Sequence, residues 1–119
     1  MVAKKGYVPD RNDIVWITLN PQVGHEHAGR RPAAVLSPID YNRKVGLALL
    51  CPITSRIKGY PFEVAIPRGL PVSGVILADQ VKSLDWSVRD AEFVCKLPPK
   101  IVDEVLERLL ILMSDRTAR

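Results

Sequence analysis

The first apolar run, Asp13-Ile14-Val15-Trp16-Ile17-Thr18-Leu19, is hydrophobic on both faces and rich in β-branched and aromatic side chains, the pattern of a buried strand. Asn20-Pro21 ends it, and residues 20–30 read as a polar loop broken by Gly24 and Gly29. Pro32 to Ser37 is a second strand, with Pro32 at its first position, where the missing N–H does least harm. Ser37-Pro38 and Asp40-Tyr41-Asn42 carry turn residues, and Val45 to Ile53 follows as a third strand. Tyr60 to Ile66 alternates and predicts a fourth strand, held to an edge by Pro61. Val75 to Val81 predicts a fifth strand and Glu92 to Leu97 a sixth.

The last segment follows a different period. After Pro98-Pro99, a favourable helix start, Ile101, Val102, Val105, Leu106, Leu109, Leu112 and Met113 recur at three- and four-residue spacing. The spacing predicts a helix over Pro98 to Ser114, with Glu104 and Arg108 as an i,i+4 ion pair on its other face. Leu110 and Ile111 widen its apolar surface enough to touch both the sheet and a second subunit. Short strands in series closed by one helix indicate a mainly β fold, an antiparallel and partly closed barrel. Periodicity alone leaves an SH3-like barrel and an OB-fold equally open.

Length fits this picture: 119 residues make one domain, 1–119, that needs neither disulfide nor metal to fold. Hydrophobic residues at 47% and charged residues at 25% exclude wholesale disorder. No apolar run approaches the ~20 residues of a membrane span, and the one around Leu47–Leu50 is far too short. No apolar stretch follows Lys4-Lys5, so no signal peptide is expected. Cys51 and Cys95 both fall in apolar segments and read as free thiols in a reducing, cytoplasmic setting.

Charge adds a direction. The net +4 is unevenly spread: residues 1–82 hold 11 basic and 6 acidic side chains, and residues 83–119 hold 6 and 7. The excess clusters at Arg30-Arg31, Arg43-Lys44 and Arg56/Lys58, which suits either a solvated surface or a face that binds a polyanion.

Candidate chemistry concentrates in Gly24-His25-Glu26-His27-Ala28-Gly29-Arg30-Arg31-Pro32. Two glycines bracket an acid–base pair, two guanidinium groups follow, and an arginine at a strand start can hold a phosphate bidentately. By itself the loop fits a solvated polar turn equally well. His25 and His27 form an H-x-H pair with no third ligand at metal-binding spacing.

Four segments taken together resemble the MazF/PemK family of toxin endoribonucleases. The family pattern G-x-E-x-x-G-x-R-P is met by Gly24, Glu26, Gly29, Arg31 and Pro32. Pro52-Ile53-Thr54-Ser55 with Lys58-Gly59-Tyr60-Pro61-Phe62-Glu63-Val64 is the second segment, and Gly74 to Trp86 the third. Tyr7-Val8-Pro9 with Asp13 to Trp16 supplies the opening. The resemblance implies an SH3-like barrel of the CcdB/PemK type and a homodimer. It also implies sequence-specific cleavage of single-stranded RNA without metal or cofactor. The products are a 2′,3′-cyclic phosphate and a 5′-hydroxyl, and a MazE-like antitoxin peptide blocks the site.

The family's key arginine and threonine match Arg31 and Thr54, the first to clamp the phosphorane oxygens and the second to donate a hydroxyl hydrogen bond. His25, Glu26 and Asp79 are candidates for the base, since His titrates near neutral pH and both His25 and Asp79 match the PemK branch. Leu77 replaces that branch's arginine two residues before Asp79, which shifts the assignment to Arg31 and Thr54. Asn12 stands where the family usually has glycine, and asparagine tolerates a left-handed turn. Arg30, Arg56, Lys58 and Gln80 are candidate RNA contacts. Trp16 and Trp86 offer rings for base stacking, although Trp16 is expected in the core. Two readings without catalysis compete: a gyrase-inhibiting toxin of the CcdB type, and a barrel that only binds single-stranded RNA.

Overall fold

The computed structural model describes residues 6–19 and 29–114. Among these, seven strands and two helices follow the order β1 (Asp13–Thr18), β2 (Arg30–Val35), α1 (Ile39–Val45), β3 (Ala48–Thr54), β4 (Glu63–Ala65), β5 (Val75–Leu77), β6 (Lys82–Leu84), β7 (Glu92–Lys96) and α2 (Pro99–Leu112). Every pairing is antiparallel, in the spatial order β4-β5-β3-β2-β1-β7 with β6 also on β3.

The central strand divides its free edge between two partners. One edge of β3 pairs with β2 through Val35↔Leu50, Ala34↔Cys51 and Ala33↔Pro52. The other pairs with β6 at residues 48–50 and with β5 at Ile53 and Thr54. The apolar side chains form two buried clusters, and alternation along β2 sends Ala34 to one and Ala33 and Val35 to the other. α2 covers the first cluster, where Ile101, Val102 and Val105 pack with Ile14, Cys51, Ile53, Val64 and Ile76. Each fully buried Val or Ile there stabilises the fold by about 2 kcal/mol. The second cluster gathers Val15, Ile17, Leu50, Leu84 and Ala91. Burial on both faces explains why β1 and β3 read as nearly continuous apolar runs.

The expected mainly antiparallel architecture with a terminal helix is present. The described sheet is open, however: its path starts at β4 and ends at β7, and no pairing joins these two edges.

Several local expectations change. Residues 39–45 form α1 and not a turn, with Asp40 in the first turn, Arg43 and Lys44 in the last, and Gly46 closing it at φ +83°. Asn42 is buried inside this helix end, and its amide donates to the carbonyls of Pro9 (2.7 Å) and Ser37 (3.0 Å). The fourth strand shortens to Glu63–Ala65, because the Glu63 N–H closes a turn on the Tyr60 carbonyl. The fifth stops at Leu77, turns, and resumes as β6. Trp16 is 40% exposed and belongs to neither cluster, against the expectation of a core residue. Trp86 is half-buried and donates to the Asn42 carbonyl.

Asn12 adopts φ +80°, as a glycine substitute must. Cys51 and Cys95 are free. Their register partners, Ala34 and Ile14, are neighbours on β2 and β1, which sets the thiols three strands or roughly 14 Å apart. Among the described residues no helix is long and apolar enough to cross a membrane.

Candidate functional site

A cleft of about 420 Å³ opens beside the C-terminal half of β3. Arg31 enters it from β2, Pro52, Ile53 and Thr54 from β3, and Arg56, Lys58 and Tyr60 from the following loop. Glu63, Leu77, Gln80 and Lys82 close the far side, and Leu19 closes the end near β1.

Strand alternation separates the two adjacent arginines. Arg31 reaches the cleft, and among the described residues its guanidinium has no hydrogen-bond or ion-pair partner. Arg30 points to the opposite face, where it pairs with Glu92 at 2.7 Å and donates to the Arg89 carbonyl at 3.2 Å. Arg30 is therefore not brought to the site, contrary to the expectation that grouped it with Arg56 and Lys58.

Thr54 ends β3 and starts the loop. Its Oγ1 accepts the Arg56 N–H at 3.0 Å, so the hydroxyl proton is left to donate elsewhere. Across the strand pair, Gly74 permits a close approach: a Cβ there would lie 2.2 Å from the Thr54 carbonyl oxygen. The loop is held from its far end by Glu63, whose two carboxylate oxygens accept the N–H groups of Lys58 (2.9 Å) and Gly59 (2.8 Å). Gly59 takes φ +86° at this bend. From α2, Arg108 forms the expected pair with Glu104 at 2.6 Å and also donates to the Pro61 carbonyl.

The electrostatics follow from these partners. Among the described residues, four cations, Arg31, Arg56, Lys58 and Lys82, line the cleft against one carboxylate, Glu63, whose oxygens are occupied by backbone N–H groups. Low-dielectric walls from Pro52, Ile53, Leu19 and Leu77 concentrate that field. Asp79 sits just outside the lining, and its Oδ1 accepts the Tyr60 hydroxyl at 2.9 Å. This hydrogen bond is the main reason the Tyr60 phenol is pushed above its ordinary range. Behind it, burial and then the Asp79 charge push the Cys51 thiol up to about 12, so it is neutral and unreactive.

The structure thus brings together Arg31, Thr54, Arg56, Lys58 and Gln80, with Asp79 joined through Tyr60. His25, Glu26 and His27 lie outside the described residues. Of the residues flanking that segment, Leu19 lines the cleft, and its N–H donates to the Gly29 carbonyl at 3.2 Å. Trp16 and Trp86 are not among the lining residues. Among the described residues no three His, Cys, Asp or Glu side chains converge as metal ligands. Tyr60, Glu63 and Lys82 were not singled out from the sequence, although Tyr60 and Glu63 lie in the Lys58–Val64 segment.

Fold and cleft together define a small antiparallel β protein with a cationic groove beside its central strand. The profile of the PemK-like, MazF-like toxins of type II toxin–antitoxin systems matches residues 10–113, and the chain belongs to this family. It is 44% identical over 108 residues to the endoribonuclease toxin MazF of Escherichia coli K12, covering 91% of this chain and 96% of that one. The crystal structure of MazF from Deinococcus radiodurans matches with a TM-score of 0.83 at 53% identity, over 90% of this chain and 97% of that one. A MazE–MazF structure from the same bacterium gives 0.81 at 48% identity, over 91% and 97%.

Proposed function

We propose that this chain is the toxin of a type II toxin–antitoxin system and that it acts as an endoribonuclease on single-stranded RNA. The observation that carries the reading is the convergence of four cations and the Thr54 hydroxyl on one cleft where, among the described lining residues, Glu63 is the one carboxylate and is already occupied. The E. coli relatives that align over most of this chain, MazF and PemK, are named endoribonucleases, which favours cleavage over gyrase inhibition or simple RNA binding.

In this reaction a base takes the 2′-OH proton as the ribose 2′-oxygen attacks the adjacent phosphorus, and the departing 5′-oxygen takes up a proton from solvent as its bond to phosphorus breaks. The products are a 2′,3′-cyclic phosphate and a 5′-hydroxyl. Arg31 stabilises the charge that builds on the non-bridging oxygens, and Thr54 donates a hydroxyl hydrogen bond to one of them. Arg56, Lys58, Gln80 and Lys82 hold the flanking phosphates and base edges. The base that takes the 2′-OH proton is His25 or Glu26, a reading supported by the family motif they belong to and by Leu19, which lines the cleft just before their segment. Asp79 ranks behind them, since Tyr60 already engages its carboxylate.

The same groove suits an acidic peptide, and its partner is a MazE-like antitoxin, in line with the MazE–MazF complexes that the fold matches. The toxin works as a homodimer in the cytoplasm, with the exposed apolar end of α2, Leu110 to Met113, available to a second subunit. Its sheet functions as the family's SH3-like barrel, a reading supported by the way β3 shares one edge between β5 and β6.

Purified protein incubated with mixed-sequence RNA and EDTA tests this. Discrete fragments are expected, with 5′ ends that polynucleotide kinase phosphorylates directly. Intact RNA with folded protein would refute the enzymatic reading.

A further inference from the structure

We propose that Glu63 is a positioning residue of the cleft: it sets the shape of the loop that presents Arg56, Lys58 and Tyr60 to RNA. The inference rests on the ribonuclease reading for its functional half and on geometry alone for its structural half. A carboxylate is the wrong charge to line a groove for a polyanion, so its presence calls for a physical reason. Here that reason is visible in three hydrogen bonds. Glu63 Oε2 accepts from the Lys58 N–H at 2.9 Å and Oε1 from the Gly59 N–H at 2.8 Å. The Glu63 N–H in turn donates to the Tyr60 carbonyl at 3.1 Å.

One residue therefore holds three peptide units of the loop between residues 57 and 61. Bonds from backbone N–H to an ionised carboxylate are about twice as strong as neutral ones. They hold the bend at Gly59, φ +86°, in a segment that has no ladder of its own. Glu63 sits at the first position of β4, so the rigid sheet defines where the loop is held. A loop already in its binding shape spares the ordering that association otherwise requires. Arg31 and Thr54 stand on strands and do not depend on Glu63 for their placement.

Glu63→Gln separates this role from a purely electrostatic one, because the two predict opposite signs. Removing a negative charge from a cationic groove strengthens RNA binding if charge is all that matters. Positioning predicts the reverse, since the amide nitrogen cannot accept and one loop N–H is left without a partner. The probe is single-stranded RNA methylated at every 2′-oxygen, which cannot be cleaved. Its affinity is expected to fall about tenfold, as the competent fraction of loop falls by that factor. KM for cleavable RNA rises in step, the saturating rate stays within about threefold, and the Lys58 and Gly59 amides exchange with deuterium about tenfold faster.

Glu63→Asp keeps the charge but loses a methylene of reach. It should bind RNA more weakly than wild type, and it provides the same readouts if Glu63→Gln does not fold. Unchanged or tighter RNA binding in both variants overturns the functional half of the proposal. Unchanged exchange at Lys58 and Gly59 overturns the structural half. Wild-type protein that leaves RNA intact refutes the ribonuclease reading instead, while the amide exchange still reports on the hold of Glu63.

Discussion

Replacing Gly74 by alanine tests the link between strand packing and the cleft. A Cβ at this position would lie 2.2 Å from the Thr54 carbonyl oxygen, 2.9 Å from its carbon and 3.1 Å from Ser55 Cα, where ordinary contact begins at 3.4 Å. All three are backbone atoms, so no rotamer change relieves the overlap. Relief requires β5 to move about 1 Å from β3, which strains the Ile53↔Ile76 and Thr54↔Val75 pairs. Overpacking of this kind costs about 2 kcal/mol. The φ of +119° adds about 1 kcal/mol for a residue with a Cβ. The total of about 3 kcal/mol is a large part of a domain's stability and lowers a urea midpoint by about 1.5 M at a slope of about 2 kcal/mol per M. Gly69→Ala is the control, because φ is +94° there but nothing lies within 4 Å, so only the backbone term of about 1 kcal/mol remains. Thr54 moves with its carbonyl, and a displacement of about 1 Å at a reacting group reduces turnover about a hundredfold even where the protein is folded. Urea unfolding and single-turnover RNA cleavage measure the two effects. A Gly74→Ala midpoint no lower than that of Gly69→Ala would refute the reasoning.

Three further outcomes are expected. Arg31→Ala lowers the cleavage rate about 100- to 1,000-fold and Thr54→Val about 10- to 100-fold in single-turnover assays. Because Arg31 is exposed, Arg31→Ala keeps stability within about 0.5 kcal/mol, and full activity would sink the assignment. Lys82→Ala weakens binding of 2′-O-methyl RNA and reduces the slope of log K against log salt by about 0.7, while an unchanged slope would remove Lys82 from the RNA path. The contribution of Cys51 to stability is level up to about pH 9, the ordinary range of a thiol, and declines above it, because the unfolded Cys51 loses its proton while burial and Asp79 keep the folded thiol neutral to about 12. The loss approaches about 1.4 kcal/mol per pH unit from this group, and Cys51→Ala should flatten the profile between pH 9 and 10, below the tyrosine range.

What could be read in the sequence depended on whether local pattern and tertiary surroundings agreed. β1 and β3 are legible because both faces are buried, and α2 because its apolar stripe meets the first cluster at Ile101, Val102 and Val105. Trp16 misleads for the same reason: its strand is buried but its end of that face reaches solvent. α1 is hidden because Asp40 and Asn42 look like turn residues, whereas Asn42 turns inward and ties down Pro9 and Ser37. In the cleft, Arg31 and Thr54 stand out by motif. Arg30 and Arg31 are indistinguishable by composition, and only their opposite faces on β2 separate them. Glu63 and Tyr60 act through hydrogen bonds to a loop and to Asp79, which no spacing rule encodes.

The divided edge of β3 also decides how the two jaws of the cleft are anchored. One jaw, β6, is braced through Leu84 by the cluster around Val15, Ile17 and Leu50. The other, β4 with β5, is braced through Val64 and Ile76 by the cluster beneath α2. Between their attachment points lie Cys51 and Pro52, unpaired with either, and proline contributes no N–H to bridge the gap. That wall of the groove thus rests on both cores, Leu84 on one and Val64 and Ile76 on the other. A substitution deep in one cluster, far from any phosphate, can widen or narrow the groove without touching a single residue that lines it.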